Sequence, residues 1–111
     1  MIILQILGVK VTNNFTYNET VEMEDRILLD FDKNNVPVSL EIMDASKRFN
    51  VPKYSLNDLK FFNMNVVVDD KYIMINVVIG VLIHNNENKH ILESFTDNKY
   101  EIPNITAELA I

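Results

Sequence analysis

Between Ile27 and Ile42 the apolar residues fall on every second position, and little but paired strands satisfies that period. Ile27, Leu29 and Phe31 take one parity, with Leu28, Asp30 and Asp32 on the other. After Lys33-Asn34-Asn35, the residues Val36, Val38, Leu40 and Ile42 return on one face, opposite Pro37, Ser39, Glu41 and Met43. Asn accepts positive φ more readily than other residues bearing a Cβ, so the polar trio reads as a hairpin turn. Pro37 has no N–H to give a ladder and belongs at a strand start or an edge. Asp44 then stands where a helix N-cap would, and Ala45 to Phe49 make a short helix with Lys47 and Arg48 at its C-terminal end. Asn50 suits the left-handed cap and Pro52 stops continuation. The unit from Glu22 to Phe49 is therefore strand, turn, strand and short helix.

The flanking chain repeats the strand signal. Residues 2–11 predict a strand buried on much of both faces, with Gly8 marking a bulge or a close backbone approach, and Thr12-Asn13-Asn14 a turn. Phe15 to Met23 alternates as a half-exposed strand, and the Glu24-Asp25-Arg26 trio turns or bulges the chain. Ser55 to Asp58 fits a loose capping box ahead of a short turn or single-turn helix at Leu59 to Phe62. Strands are expected again over Met64–Val68, Tyr72–His84, His90–Phe95 and from Ile105 onward, with turns at Asn85–Lys89 and Thr96–Lys99. The sum is a mainly β chain, bordering on α+β: an antiparallel meander or sandwich of seven to eight short strands with one or two short helices. One domain spans residues 1–111, with a seam near Asn50–Tyr54 dividing a hairpin-plus-helix part (1–50) from a strand-rich extension (51–111).

Composition narrows the function. Sixteen acidic against ten scattered basic residues give a net charge of −6, which argues against nucleic acid, whose affinity comes from neutralised phosphates. The most apolar run, Tyr72 to Ile83, is too short for a membrane-spanning helix, and the apolar start lacks the basic flank and cleavage site of a signal peptide. A cytoplasmic protein without membrane contact is expected. There is no cysteine, hence no disulfide and no thiolate metal site.

Few residues offer chemistry. Asp30-x-Asp32-x-Asn34, with Glu41 at the twelfth position, matches the spacing of a calcium loop. Asn35 stands where that loop needs glycine, and the strand period fixes Glu41 in the return strand, so Asp30, Asp32 and Asn34 are weak metal candidates at most. His84 and His90 flank an expected turn without a third ligand. No serine lies in a nucleophile-elbow context, and two glycines cannot form a phosphate-cradling loop. The carboxylate pairs Glu22/Glu24 and Asp69/Asp70 read as solvated polar positions. No cofactor or catalytic residue is expected. Aliphatic runs on both parities, Val66-Val67-Val68 and Val77-Val78-Ile79, point to a doubly buried sheet or an exposed patch, and the patch would favour a homodimer or another protein partner.

Arg26 to Phe49 also resembles a family of small prokaryotic proteins catalogued as domain of unknown function 2283. The resemblance rests on the acidic turn Asp30-x-Asp32, the strand ending Leu40-Glu41-Ile42-Met43 and the block Asp44-Ala45-Ser46-Lys47-Arg48. Asn34-Asn35 and Ser39 replace the glycine-bearing turn and the glycine usual before the Ile-Glu-Ile strand. The longer form is similar to an archaeal subgroup. The resemblance implies a small β-meander with a short helix, no enzymatic activity and, from short members, an antitoxin-like role. The expectations are ranked accordingly: a non-enzymatic module that self-associates or binds a partner, then a partner-neutralising protein, then a weak calcium binder.

Overall fold

The computed structural model describes residues 6–12, 14–24 and 26–110. Eight strands lie among them: β1 (Ile6–Lys10), β2 (Tyr17–Met23), β3 (Ile27–Asp32), β4 (Pro37–Met43), β5 (Phe61–Val68), β6 (Tyr72–Ile83), β7 (Asn86–Asp97) and β8 (Ile105–Ala110). A five-residue helix, α1 (Ala45–Phe49), and a 3-10 turn (Lys53–Asn57) separate β4 from β5. The strands form two four-stranded sheets, in the orders β1-β4-β3-β2 and β7-β6-β5-β8, and every pairing is antiparallel. The expected mainly β architecture is thus the one observed. The seam expected near Asn50 falls in the connection between the sheets.

The alternation assigned the core. Ile27, Leu29 and Phe31 are fully buried, and Ile42, Leu40 and Pro37 stand across from them on β4, where a register shift brings Pro37 rather than Val38 opposite Phe31. In the second sheet the odd residues of β6 and the even residues of β5 point inward. One hydrophobic cluster takes in both sheets together with Ala45, Phe49, Leu56 and Ile102. The sheets are also joined where β2 meets β7: the Glu24 N–H donates to the Phe95 carbonyl (3.3 Å) and Ser94 Oγ to the Glu24 carbonyl (3.1 Å).

Several local expectations are corrected. β1 buries one parity only, with Val9 inside and Ile6, Gly8 and Lys10 outside, because the sheet packs on the core through one face. Its expected start at Ile2 to Gln5 lies outside the described residues, as do Asn13, Asp25 and Ile111. Gly8 pairs with Glu41 in regular register, and a Cβ there would meet nothing within 4 Å. The close approach is at Gly80 instead. Ser55 does not open a helix; it lies within the 3-10 turn and its hydroxyl donates to the Pro52 carbonyl (2.6 Å). The turn expected over Asn85–Lys89 shrinks to His84-Asn85, both at positive φ (51° and 64°), which is the two-residue loop that matches strand twist. Closing the hairpin so tightly lengthens β7 at its start, and β7 also runs past the expected Phe95 to Asp97.

Asp44 is the most instructive correction. It precedes α1 as expected, but its backbone is left-handed (φ 52°, ψ 42°) and its side chain makes no cap hydrogen bond. The carboxylate instead lies 3.9 Å from the Arg26 guanidinium, while the Asp44 carbonyl accepts the N–H groups of Lys47 and Arg48. Asp serves here because it tolerates the left-handed region, which costs other L-residues about 1–2 kcal/mol. Asp44→Gly is therefore expected to match or exceed the parent in chemical denaturation. Asp44→Val is expected to lose about 1–2 kcal/mol; equal stability of the two variants would remove the backbone explanation.

Candidate functional site

The acidic turn is built from its own hydrogen bonds. Asp32 Oδ1 accepts the N–H groups of Asn34 (2.8 Å) and Val36 (3.0 Å), closing the β3–β4 turn in which Asn35 takes φ 60°. Asp30 faces away from the core, where Oδ1 accepts from Thr20 Oγ1 (2.6 Å) and Oδ2 from Ser39 Oγ (2.5 Å). Asn34 is exposed at the turn and Glu41 is exposed on β4, paired with Gly8 and Leu28. The sequence spacing thus does not become a coordination shell: both aspartates hold strands and turn together. Among the described residues no group of three His, Cys, Asp or Glu side chains could hold a metal ion. Millimolar calcium is expected to produce neither heat in calorimetric titration nor a shift in Tm.

His84 and His90 are not brought together. His84 is exposed in the two-residue turn, whereas His90 pairs with Ile79, five rungs down the hairpin and about 16 Å away along the strand. His90 occupies an inward position, and its Nε2 is buried without a hydrogen-bond partner. Asp69 is also structural. Its Oδ1 accepts the N–H groups of Tyr72 (2.7 Å) and Lys71 (2.8 Å), and those bonds hold its carboxyl below the usual aspartate value. A depressed folded-state pKa stabilises above the unfolded value, and the contribution is lost as pH falls through the folded one. Asp69→Asn is expected to be less stable than the parent near neutral pH, with the gap closing in acid when denaturation midpoints are compared.

The feature that sequence reasoning saw only in outline is the outer face of the second sheet. The register sets its rungs from β7 to β8. One rung is Phe95, Met74, Val67 and Thr106; the next is Glu93, Asn76, Asn65 and Glu108; the third is Ile91, Val78, Asn63 and Ala110. Phe95 (49% exposed), Met74 (37%) and Ile91 (64%) stand in solvent, with Val67, Tyr72 and Leu82 exposed beside them. The Tyr72 and Phe95 rings meet edge to face at 6.2 Å. Lys89 reaches past Gly80 to place its ammonium 4.7 Å from the centre of the Phe61 ring. A shallow groove of about 460 Å³ runs between the first two rungs, lined by Asn65, Val67, Met74, Asn76, Glu93 and Phe95. The double-parity aliphatic runs were the signal: Val67 and Val78 occupy positions that a solvated sheet would give to polar side chains.

Along the second rung, and from it to Asn63 of the third, the polar groups bind one another. Asn76 Nδ2 donates to Glu93 Oε1 (3.0 Å) and Asn63 Nδ2 to Glu108 Oε1 (2.8 Å), while Asn65 Nδ2 donates to Asn63 Oδ1 (3.1 Å). Two exposed carboxylates are thereby fixed on the flanks of an apolar surface.

Comparison with known proteins gives a family match over the first sheet and longer matches to two relatives. Residues 5–46 match the family model described as Protein of unknown function (DUF2283). A protein of Methanosarcina mazei called a putative hypoxanthine phosphoribosyltransferase is 31% identical over 77 residues, 69% of this chain and 59% of that protein. An uncharacterized protein of Methanocaldococcus jannaschii is 39% identical over 71 residues, 62% of this chain and 60% of its own length. The chain thus spans about three-fifths of the length of these archaeal relatives. No solved structure matches. The resemblance in the β3–β4–α1 unit therefore extends back through β2 and β1, and over residues 5–46 the chain carries the signature of the DUF2283 family, whose function is unknown.

Proposed function

We propose that the chain is a non-enzymatic binding module that docks a protein partner on the outer face of its second sheet. The observation that carries this reading is the concentration of exposed large apolar side chains, Phe95, Met74, Ile91, Tyr72, Val67 and Leu82, on that one face. Apolar surface gathered in one place and edged by polar residues is typical of a docking surface. The polar groups elsewhere support the non-enzymatic part, since Asp30, Asp32 and Asp69 are each committed to turns or strand pairing. The name of the Methanosarcina relative suggests phosphoribosyl transfer. Phosphates are commonly cradled by glycine-rich loops at helix N-termini, and here Gly8 and Gly80 both lie within strands while α1 has five residues. That geometry favours binding over transfer. No helix among the described residues is long and apolar enough to cross a membrane.

The test is site-specific photo-crosslinking in the source cell, with the photoreactive residue at Val67 or, as a comparison, at Lys10 on the first sheet. Adducts from the Val67 position alone support the reading. Adducts from neither position, or equally from both, would overturn it.

A further inference from the structure

The charges around the apolar face say what kind of partner it fits. On the outward positions of β5 and β6 there is no ionisable group except Tyr72; those positions hold Phe61, Asn63, Asn65 and Val67, and Tyr72, Met74, Asn76, Val78, Gly80 and Leu82. The charges lie on the two flanking strands: Glu87, Glu93 and Asp97 with Lys89 on β7, and Glu108 on β8. Four carboxylates therefore surround the apolar strip against one ammonium, and that ammonium is engaged over the Phe61 ring. A second copy of the chain laid face to face would bring carboxylates towards carboxylates, a juxtaposition that interfaces are arranged to avoid.

We infer that the occupant of this face is a basic amphipathic protein segment, with apolar side chains seated on Phe95, Met74 and Val67 and Lys or Arg residues reaching Glu93 and Glu108. The inference rests on the docking reading above and adds the chemistry of the partner. Glu93 and Glu108 share a rung and are separated by three strand spacings, about 14 Å. Each is held by an asparagine amide, Asn76 for Glu93 and Asn63 for Glu108. Carboxylates already held in place lose less conformational freedom on meeting a cation than free side chains do. The groove between the rungs opens beside Glu93, so apolar and charged contacts can form together.

The experiment uses two labelled amphipathic helical peptides of equal length, one of Leu and Lys and one of Leu and Glu, titrated with the full chain and followed by fluorescence anisotropy. The Leu/Lys peptide is expected to bind and the Leu/Glu peptide not to. The double variant E93Q/E108Q is expected to weaken Leu/Lys binding by about fivefold to tenfold. The pair E22Q/E41Q, which removes two carboxylates from the outer face of the first sheet, is expected to leave it unchanged. Met74→Asp or, should that variant fold poorly, Ile91→Asp is expected to abolish binding. Equal binding of both peptides, or no loss in E93Q/E108Q, overturns the assignment of a basic partner and leaves the docking face standing. Binding untouched by changes at both Met74 and Ile91 overturns the face itself. A concentration-dependent doubling of mass that Met74→Asp removes would identify the occupant as a second copy and overturn the inference.

Discussion

Phe31→Ala is expected to lower the unfolding free energy by about 3–5 kcal/mol, the range for deleting a large aromatic side chain from a packed core. Phe95→Ala is expected to change it by less than about 1 kcal/mol. Both residues are phenylalanines on strands, and the faces they occupy decide the difference. Phe31 is completely buried in the cluster common to both sheets, at the point where the β3–β4 register shifts beside Pro37. Its removal leaves a cavity that two facing sheets can close only in part. Phe95 is half exposed and packs edge to face on Tyr72, so truncation removes one ring contact and little burial. Urea denaturation of the two variants separates the cases. A loss at Phe95 as large as that at Phe31 would mean that the outer face is already covered in the isolated protein.

The two glycines give the second contrast. Gly80→Ala is expected to lose about 1–3 kcal/mol through overpacking. Its added Cβ would lie 2.8 Å from the Phe61 Cβ, an atom fixed to the neighbouring backbone rather than at the end of a flexible side chain. Gly80 and Phe61 are direct cross-strand partners, and the missing Cβ also leaves room for Lys89 to reach the Phe61 ring. Gly8→Ala is expected to gain about 0.5–1 kcal/mol, because a glycine inside a strand forfeits chain entropy and the site is open. Thermal denaturation should move in opposite directions for the two variants. A shift of the same sign in both would show that backbone entropy outweighs the contact at Phe61.

What the sequence disclosed follows the range of each interaction. The β3–β4 hairpin was legible because alternation at Ile27, Leu29 and Phe31 is a local signal and Asn35 alone supplies the left-handed turn. The bounds of α1 were legible from Asn50, whose left-handed cap is local too. Asp44 misled because an aspartate before a helix can serve either by its side chain or by its tolerance of positive φ, and only the backbone distinguishes them. Asp30 and Asp32 were ambiguous for a related reason. Their spacing is shared by an ion-binding loop and a self-bonded turn, and although Asp32 bonds within its own turn, the partners of Asp30, Thr20 and Ser39, lie on other strands. The candidate face was least legible. Phe95, Met74 and Val67 are far apart in the chain and become neighbours only through the register of β5, β6 and β7, which no local pattern specifies.

Each sheet is made from one continuous run of chain, residues 6–43 and 61–110, yet the two share a single apolar cluster. During synthesis the first sheet therefore leaves the ribosome with every strand it needs, but without the surface that shields Ile27, Leu29 and Phe31 from water. At ordinary rates of elongation that interval is roughly 3–10 s. A nascent chain held there would expose the side of the sheet that the finished protein hides. It is the natural point for a chaperone to engage, and stalling just past α1 would be the condition most prone to aggregation.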